Sequence, residues 1–205
     1  MSSDMKDTNG VSVQGHIKIH DPESGKVYVQ KRNAIHYENM SLALAESLAN
    51  QGQGFIYEMS FGNGGTSVDP TGIITYLTPN STGTNSSLYN QTYTKIVDGN
   101  SVNNTDPARN FLEIRHVSGT NYTDILVSCL LDYGEPDGQE AFDTATDNQT
   151  SFIFDELGLR SRVQNDAGQG RLLTHVIFHP VQKSLNRLIQ IDYTVRIQSL
   201  SGGNV

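Results

Sequence analysis

Hydrophobic and polar residues alternate with a period of two in two stretches, one near each end of the chain. Val11, Val13, Gly15, Ile17 and Ile19 interleave with Ser12, Gln14, His16 and Lys18. Ile189, Ile191, Tyr193, Val195 and Ile197 interleave with Gln190, Asp192, Thr194 and Arg196. Successive strand side chains point to opposite faces, so both stretches read as strands with one buried and one wet side. Asp21-Pro22-Glu23-Ser24-Gly25 follows the first with turn chemistry: Pro22 fixes φ, and Gly25 is free to take positive φ. Val27 and Val29 then resume the alternation, which predicts an N-terminal hairpin. The period changes after Asn33-Ala34-Ile35. Met40, Leu44 and Leu48, with Ala43 beside them, form a 3.6-residue stripe that predicts the one principal helix over residues 36–50. Gly52 is placed for a left-handed stop.

Phe55, Tyr57, Met59 and Phe61 predict a strand burying an aromatic face, which runs into Phe61-Gly62-Asn63-Gly64-Gly65. A glycine cluster after a strand invites a phosphate-loop reading, but no Gly-Lys-Ser/Thr follows and Asp69-Pro70 opens no long helix. A turn using positive φ is the expectation instead. Short strands are predicted at residues 72–77, 111–117, 124–131, 151–154, 172–179 and 188–197, with a further extended piece around Tyr93, Ile96 and Val97. Polar loops fill residues 78–90 and 98–110. Many short strands with turn-rich gaps and no fixed repeat predict a mainly β chain, a β-sandwich or open barrel. The expected organisation is a flexible arm over residues 1–10, a single β-rich domain over 11–198 and a polar tail over 199–205.

Composition sharpens this picture. In 205 residues only 18% are charged and 36% hydrophobic, with nine Tyr and seven Phe. That balance suits a folded, loop-heavy β protein better than a disordered one. A net charge of −8 argues against a general nucleic-acid binder, which needs clustered Lys and Arg to displace counterions. The densest basic group, ending in Lys31 and Arg32, reads as a strand edge that resists mispairing. There is no apolar run of the roughly 18 residues a membrane span needs, and the first twelve residues carry no export-type apolar segment. The N-x-S/T triplets at Asn39, Asn80, Asn85, Asn90, Asn103, Asn121 and Asn148 then reflect composition, and the protein is expected to be made in a cytoplasm. Cys129 is the one cysteine and sits in the apolar run Ile125-Leu126-Val127-Ser128-Cys129-Leu130-Leu131, where a thiol acts as a small hydrophobe.

Candidate chemistry is thin. His16 and His20, and likewise His175 and His179, are four apart on predicted strands, which separates them by roughly 13 Å, with no zinc-type spacing. His175 and His179 share a predicted face with Leu173 and Ile177. Glu135, Asp137, Glu140, Asp143, Asp147, Asp155 and Glu156 make one region acidic, and residues 143–148 only faintly resemble a calcium loop. Nothing in their spacing picks out a glycosidase-type carboxylate pair. No Gly-x-Ser-x-Gly elbow is present. The expectation is no enzyme, no cofactor and no metal.

Residues 15–39 followed by Phe61-Gly62-Asn63-Gly64-Gly65 resemble a module of structural proteins of tailed bacteriophage particles: strand, D-P-x-x-G turn, a second strand running into Asn33, helix, and a strand ending in a Gly-rich turn. A leucine-bearing loop, Ser87-Leu88-Tyr89, completes the resemblance. LLTHVIFHPVQK, residues 172–183, is similar to virion proteins of contractile-tailed phages. The resemblance implies a non-enzymatic virion component in the tail, neck or baseplate, whose partners are other virion proteins and copies of itself, with neither nucleic acid nor membrane bound. Alternatives are a capsid head-decoration protein and a receptor- or host-glycan-binding module using Tyr-bearing loops. The residues expected at the assembly interface are Tyr76, Leu88, Tyr89, Tyr93, Lys31 and Arg32.

Overall fold

A computed structural model describes residues 10–83, 86–136, 151–162 and 169–200. Its strands are β1 (Gly10–His20), β2 (Val27–Arg32), β3 (Ala34–Ile35), β4 (Ile56–Gly62), β5 (Thr66–Val68), β6 (Ile74–Tyr76), β7 (Gln91–Ile96), β8 (Phe111–His116), β9 (Tyr122–Leu131), β10 (Ser151–Ser161), β11 (Thr174–Ser184) and β12 (Ile189–Leu200). The helix α1 covers Tyr37–Leu48. Two five-stranded antiparallel sheets run in the orders β2-β1-β12-β9-β8 and β3-β11-β10-β4-β7, and β5 pairs with β6 in a hairpin. The chain is therefore mainly β, and one shared core between the two sheets makes it a sandwich.

The first sheet follows the alternation read from sequence. Ile17, Ile19, Ile189, Ile191 and Tyr193 are buried, while their odd-step neighbours lie on the wetter face. The Asp21 turn forms as predicted, with its Oδ1 accepting the Glu23 and Ser24 amides and Gly25 at φ 72°. Pairing extends to Gly10↔Leu200, so both end strands outrun the predicted arm and tail boundaries.

The second sheet does not alternate simply. In β10, Phe152 and Phe154 face the core and are followed by Leu157 and Leu159, a slip of one residue. β11 slips at the same level, where Phe178 gives way to Val181 across His179-Pro180. The shift is a bulge, which is where a strand accommodates proline. It sends Glu156, Gly158 and Arg160 to the far face of the sheet. That face is itself covered, so β10 is buried on both sides from Asp155 to Ser161, and it runs seven residues beyond its predicted end at Phe154. The core face carries an aromatic cluster. Phe61 and Phe154 meet edge-on at 5.4 Å, and Phe154 stacks on Phe152 at 5.3 Å. Each buried Phe contributes about 1.5–3 kcal/mol.

Helix α1 closes one end of the sandwich. His36 is its N-cap, accepting the Asn39 amide at Nδ1, and its own N–H donates to the Leu173 carbonyl. The stop is made by Asn50 at φ 53° and not by Gly52 as predicted. The Asn50 amide reaches the Ser47 carbonyl and the Gln51 amide the Glu46 carbonyl, the paired bonds of a Schellman ending. The buried stripe is Asn39, Met40 and Ala43, and Leu48 is 89% exposed, so the stripe is shorter than the spacing predicted. No helix among the described residues is long and apolar enough to cross a membrane.

Candidate functional site

Two features stand out from the framework: a buried polar cluster on the far face of the second sheet, and an apolar cleft at the helix end.

The cluster centres on Glu156, which is wholly buried. Its Oε1 accepts the amides of Gly64 (3.1 Å) and Asn90 (2.8 Å), and Oε2 accepts the Tyr89 amide (2.9 Å) and His175 Nε2 (2.9 Å). His175 Nδ1 accepts the Asn80 amide at 2.8 Å. An amide can only donate, so Nδ1 carries no proton and Nε2–H points at the carboxylate. Burial pulls Glu156 upward, but the bonds from His175, Asn90 and Tyr89 outweigh it and hold the carboxyl below the usual glutamate range. Neighbouring Asp155 caps the Gly65 and Thr66 amides and the Thr66 hydroxyl; there burial wins, and its pKa is raised.

Three more ionic groups act the same way. Arg160 donates to Ser60 Oγ, the Gly170 carbonyl and Ser87 Oγ, and lies opposite Glu58. Lys183 Nζ donates to the carbonyls of Asp132 (2.9 Å), Glu135 (2.7 Å) and Ser184 (2.9 Å). Lys95 holds the same loop through the Leu130 carbonyl and Glu135. These groups resemble catalytic residues in type, but Glu156, His175, Arg160 and Lys183 are buried and bonded to loop backbone, serine hydroxyls or one another. They serve as staples for loops, while Lys95 and Glu135 keep 10% and 26% of their side-chain surface exposed. Burial pushes Cys129 up to about 12, in keeping with its predicted role as a small hydrophobe.

The glycines of the FGNGG turn answer to this cluster. None of Gly62, Gly64 and Gly65 has the positive φ expected of them. A Cβ on Gly62 would instead lie 2.4 Å from the Asn90 carbonyl oxygen and 2.6 Å from Glu156 Oε1. Close approach of backbone to backbone is what excludes a side chain there.

Most of the expected interface residues have structural duties. Leu88 is buried and packs toward Gly158, so it anchors its loop and offers no outward contact, contrary to the sequence expectation. Tyr93 is half-buried against Phe61 and Phe152. Lys31 Nζ donates to the Ile177 carbonyl. Tyr89 is partly exposed, with its hydroxyl on the Thr78 carbonyl, and Tyr76 is half-exposed beside His179. Arg32 is exposed at the end of edge strand β2. The Tyr89 amide reaches Glu156, and Leu88 packs toward Gly158 two residues further along β10. His175 is wholly buried while His179 is exposed, although both lie on the face of β11 opposite the core residues Val176 and Phe178. His20 bonds Asp192 across β1 and β12. Asp137, Glu140 and the faint calcium-type stretch 143–148 lie outside the described residues.

The apolar cleft was not legible in the sequence. It has a volume of about 810 Å³ and opens where the sheets part around α1. Met40 and Leu44 of α1, Leu112 and Ile114 of β8, and Val195 and Ile197 of β12 are among its lining. Arg162 lies over the rings of Phe55 and Tyr57 at its rim. A second groove, bordered by Val11, Tyr37 and Leu200, shares Met40 and Leu44 with the first. Along this joined strip Val102 is 97% exposed, Ile114 75% and Tyr37 71%. Among the described residues no group of three or more His, Cys, Asp or Glu is placed to hold a metal ion.

Comparison with known proteins gives no relative: no family model, no curated protein and no solved structure matches the chain.

Proposed function

We propose that this chain is a non-enzymatic structural component of a tailed-phage virion, built in multiple copies into the tail, neck or baseplate. The observation that carries the reading is the exposed apolar strip joining Val102, Ile114, Leu44 and Tyr37. An exposed apolar groove rimmed by polar residues is a place where another molecule docks, and the exposed Val102, Ile114 and Tyr37 side chains extend it outward. The buried ionic groups support the same reading from the other side, because Glu156, His175, Arg160 and Lys183 are committed to holding loops. Repetition by symmetry multiplies modest contacts of this kind into a stable assembly. The resemblance of residues 15–39 and of the FGNGG turn to virion modules gives the setting.

Immunogold labelling of purified particles from the phage that encodes the chain tests the position. Label at the neck, tail or baseplate supports the proposal. Label spread over the head replaces it with head decoration, and no label on intact or opened particles overturns it.

A further inference from the structure

We propose that β8 is a self-complementary edge, at which two copies of this chain pair antiparallel about a two-fold axis through Ile114. The inference deepens the reading above and rests on it, since it names the partner of the exposed strip as a second copy.

The two edges of the first sheet are β2 and β8. β2 ends in exposed Gln30, Lys31 and Arg32, the charged finish that discourages edge pairing. β8 reads Phe111-Leu112-Glu113-Ile114-Arg115-His116, with Ile114 75% exposed and Val117 just beyond it 62% exposed. Among the described residues its ladder partner is β9 alone, which leaves its other side open. An open edge with a bare isoleucine at its middle is a template for another strand.

Charge selects which strand fits. Glu113 and Arg115 flank Ile114 and point to the same face, where they already touch at 2.7 Å within one chain. In an antiparallel pair centred on Ile114, Glu113 of each copy lies opposite Arg115 of the other. Sliding the register by two residues either way sets Glu113 against Glu113 or Arg115 against Arg115. Opposite charges across a strand pair stabilise and like charges destabilise, so one register is preferred. Asp124, the β9 residue beside Arg115, is held by Arg196 through two bonds of 2.7 and 2.8 Å, and leaves Arg115 to its strand neighbours.

The opposite face agrees. Ile114 continues the row Gly15, Val195, Ile125 on the inner face of the sheet and lines the cleft with Leu112. Pairing sets the two Ile114 side chains beside each other and joins the clefts of the two copies. The two sheets of five become one continuous sheet across the axis.

Sedimentation velocity of the full chain over a concentration series tests this, with circular dichroism confirming that each variant folds. The intact chain is expected to dimerise. Arg115→Glu and Glu113→Arg should each weaken self-association roughly tenfold or more, because each creates two like-charge contacts. Mixing the two singly substituted chains should restore dimers, since the mixed pair sets two acidic side chains of one copy, at positions 113 and 115, against two basic side chains of the other. A monomeric intact chain, association indifferent to either substitution, or no recovery on mixing would overturn the inference. Incorporation of the charge-reversed chains into particles at the normal level would also sink it while leaving the virion reading intact. Absence of the unaltered chain from particles would sink the virion reading instead.

Discussion

Glu156 Oε2 lies 2.9 Å from His175 Nε2, and neither side chain has any exposed surface. The contact joins β10 to β11, and the amides of Gly64, Tyr89 and Asn90 converge on the same carboxylate. One buried charge thus fixes two loops that are distant in sequence. A carboxylate in the interior survives when its lone pairs are filled, and here four N–H groups fill them.

Replacing Glu156 by Gln keeps the shape but turns one acceptor into a donor aimed at backbone N–H groups. The expected cost is about 3 kcal/mol, read from urea denaturation. Faster hydrogen exchange should appear at the Gly64, Tyr89 and Asn90 amides. Loss of stability without that local signature would contradict the assignment.

The same group sets an acid dependence. Its folded pKa is depressed below the reference value of 4.5, so the folded state holds its proton less tightly than the unfolded chain does. Its contribution is present above pH 4.5 and lost as pH falls through the folded pKa. Asp155, raised by burial, works in the opposite sense, favouring the fold at low pH. Stability measured from pH 6 down to pH 3 should therefore fall less steeply for Glu156→Gln than for the native chain. Parallel profiles would contradict this.

The fold was legible where one face meets water. β1 and β12 alternate cleanly because their outer residues are solvated, and the Asp21 turn announces itself through Pro22 and Gly25. β10 hid its length because the bulge shifts its inward residues from Phe154 to Leu157, and because Glu156 and Arg160 occupy a buried face where apolar residues are expected. The FGNGG, Ser87-Leu88-Tyr89 and LLTH segments stood out in the sequence with no chemistry attached. In the fold they meet at Glu156 and His175, so their pattern reports a packing constraint. The apolar strip could not be read, because Leu44, Val102 and Ile114 come from a helix, an Asn-rich loop and an edge strand. The one available signal was Ile114 set between Glu113 and Arg115.

Gly62→Ala separates steric exclusion from conformational strain. Its Cβ would meet the Asn90 carbonyl at 2.4 Å, whereas one on Gly25 meets nothing within 4 Å. Gly62→Ala should cost about 2–3 kcal/mol through displaced backbone, and Gly25→Ala only about 1 kcal/mol, from its positive φ. Equal melting temperatures for the two variants would contradict this account of the glycine cluster.

Lys183→Met removes the donor to three carbonyls while keeping the apolar stem. A loss of about 2–4 kcal/mol is expected on chemical denaturation, because buried carbonyls are left unmatched. An unchanged midpoint would show that water replaces the ammonium.

Cys129 is sealed in the core, so iodoacetamide at pH 8 should leave the native chain unmodified and label it fully in urea. Mass spectrometry reads the difference of one adduct, and labelling of the native chain would place the thiol elsewhere.

The most direct test of the central claim is to count the chain in purified particles by quantitative mass spectrometry against the major head protein. A structural role predicts that it stays with particles through gradient purification, at a fixed ratio of several copies per particle. Its absence, or a trace amount that varies between preparations, would contradict a structural role in the virion.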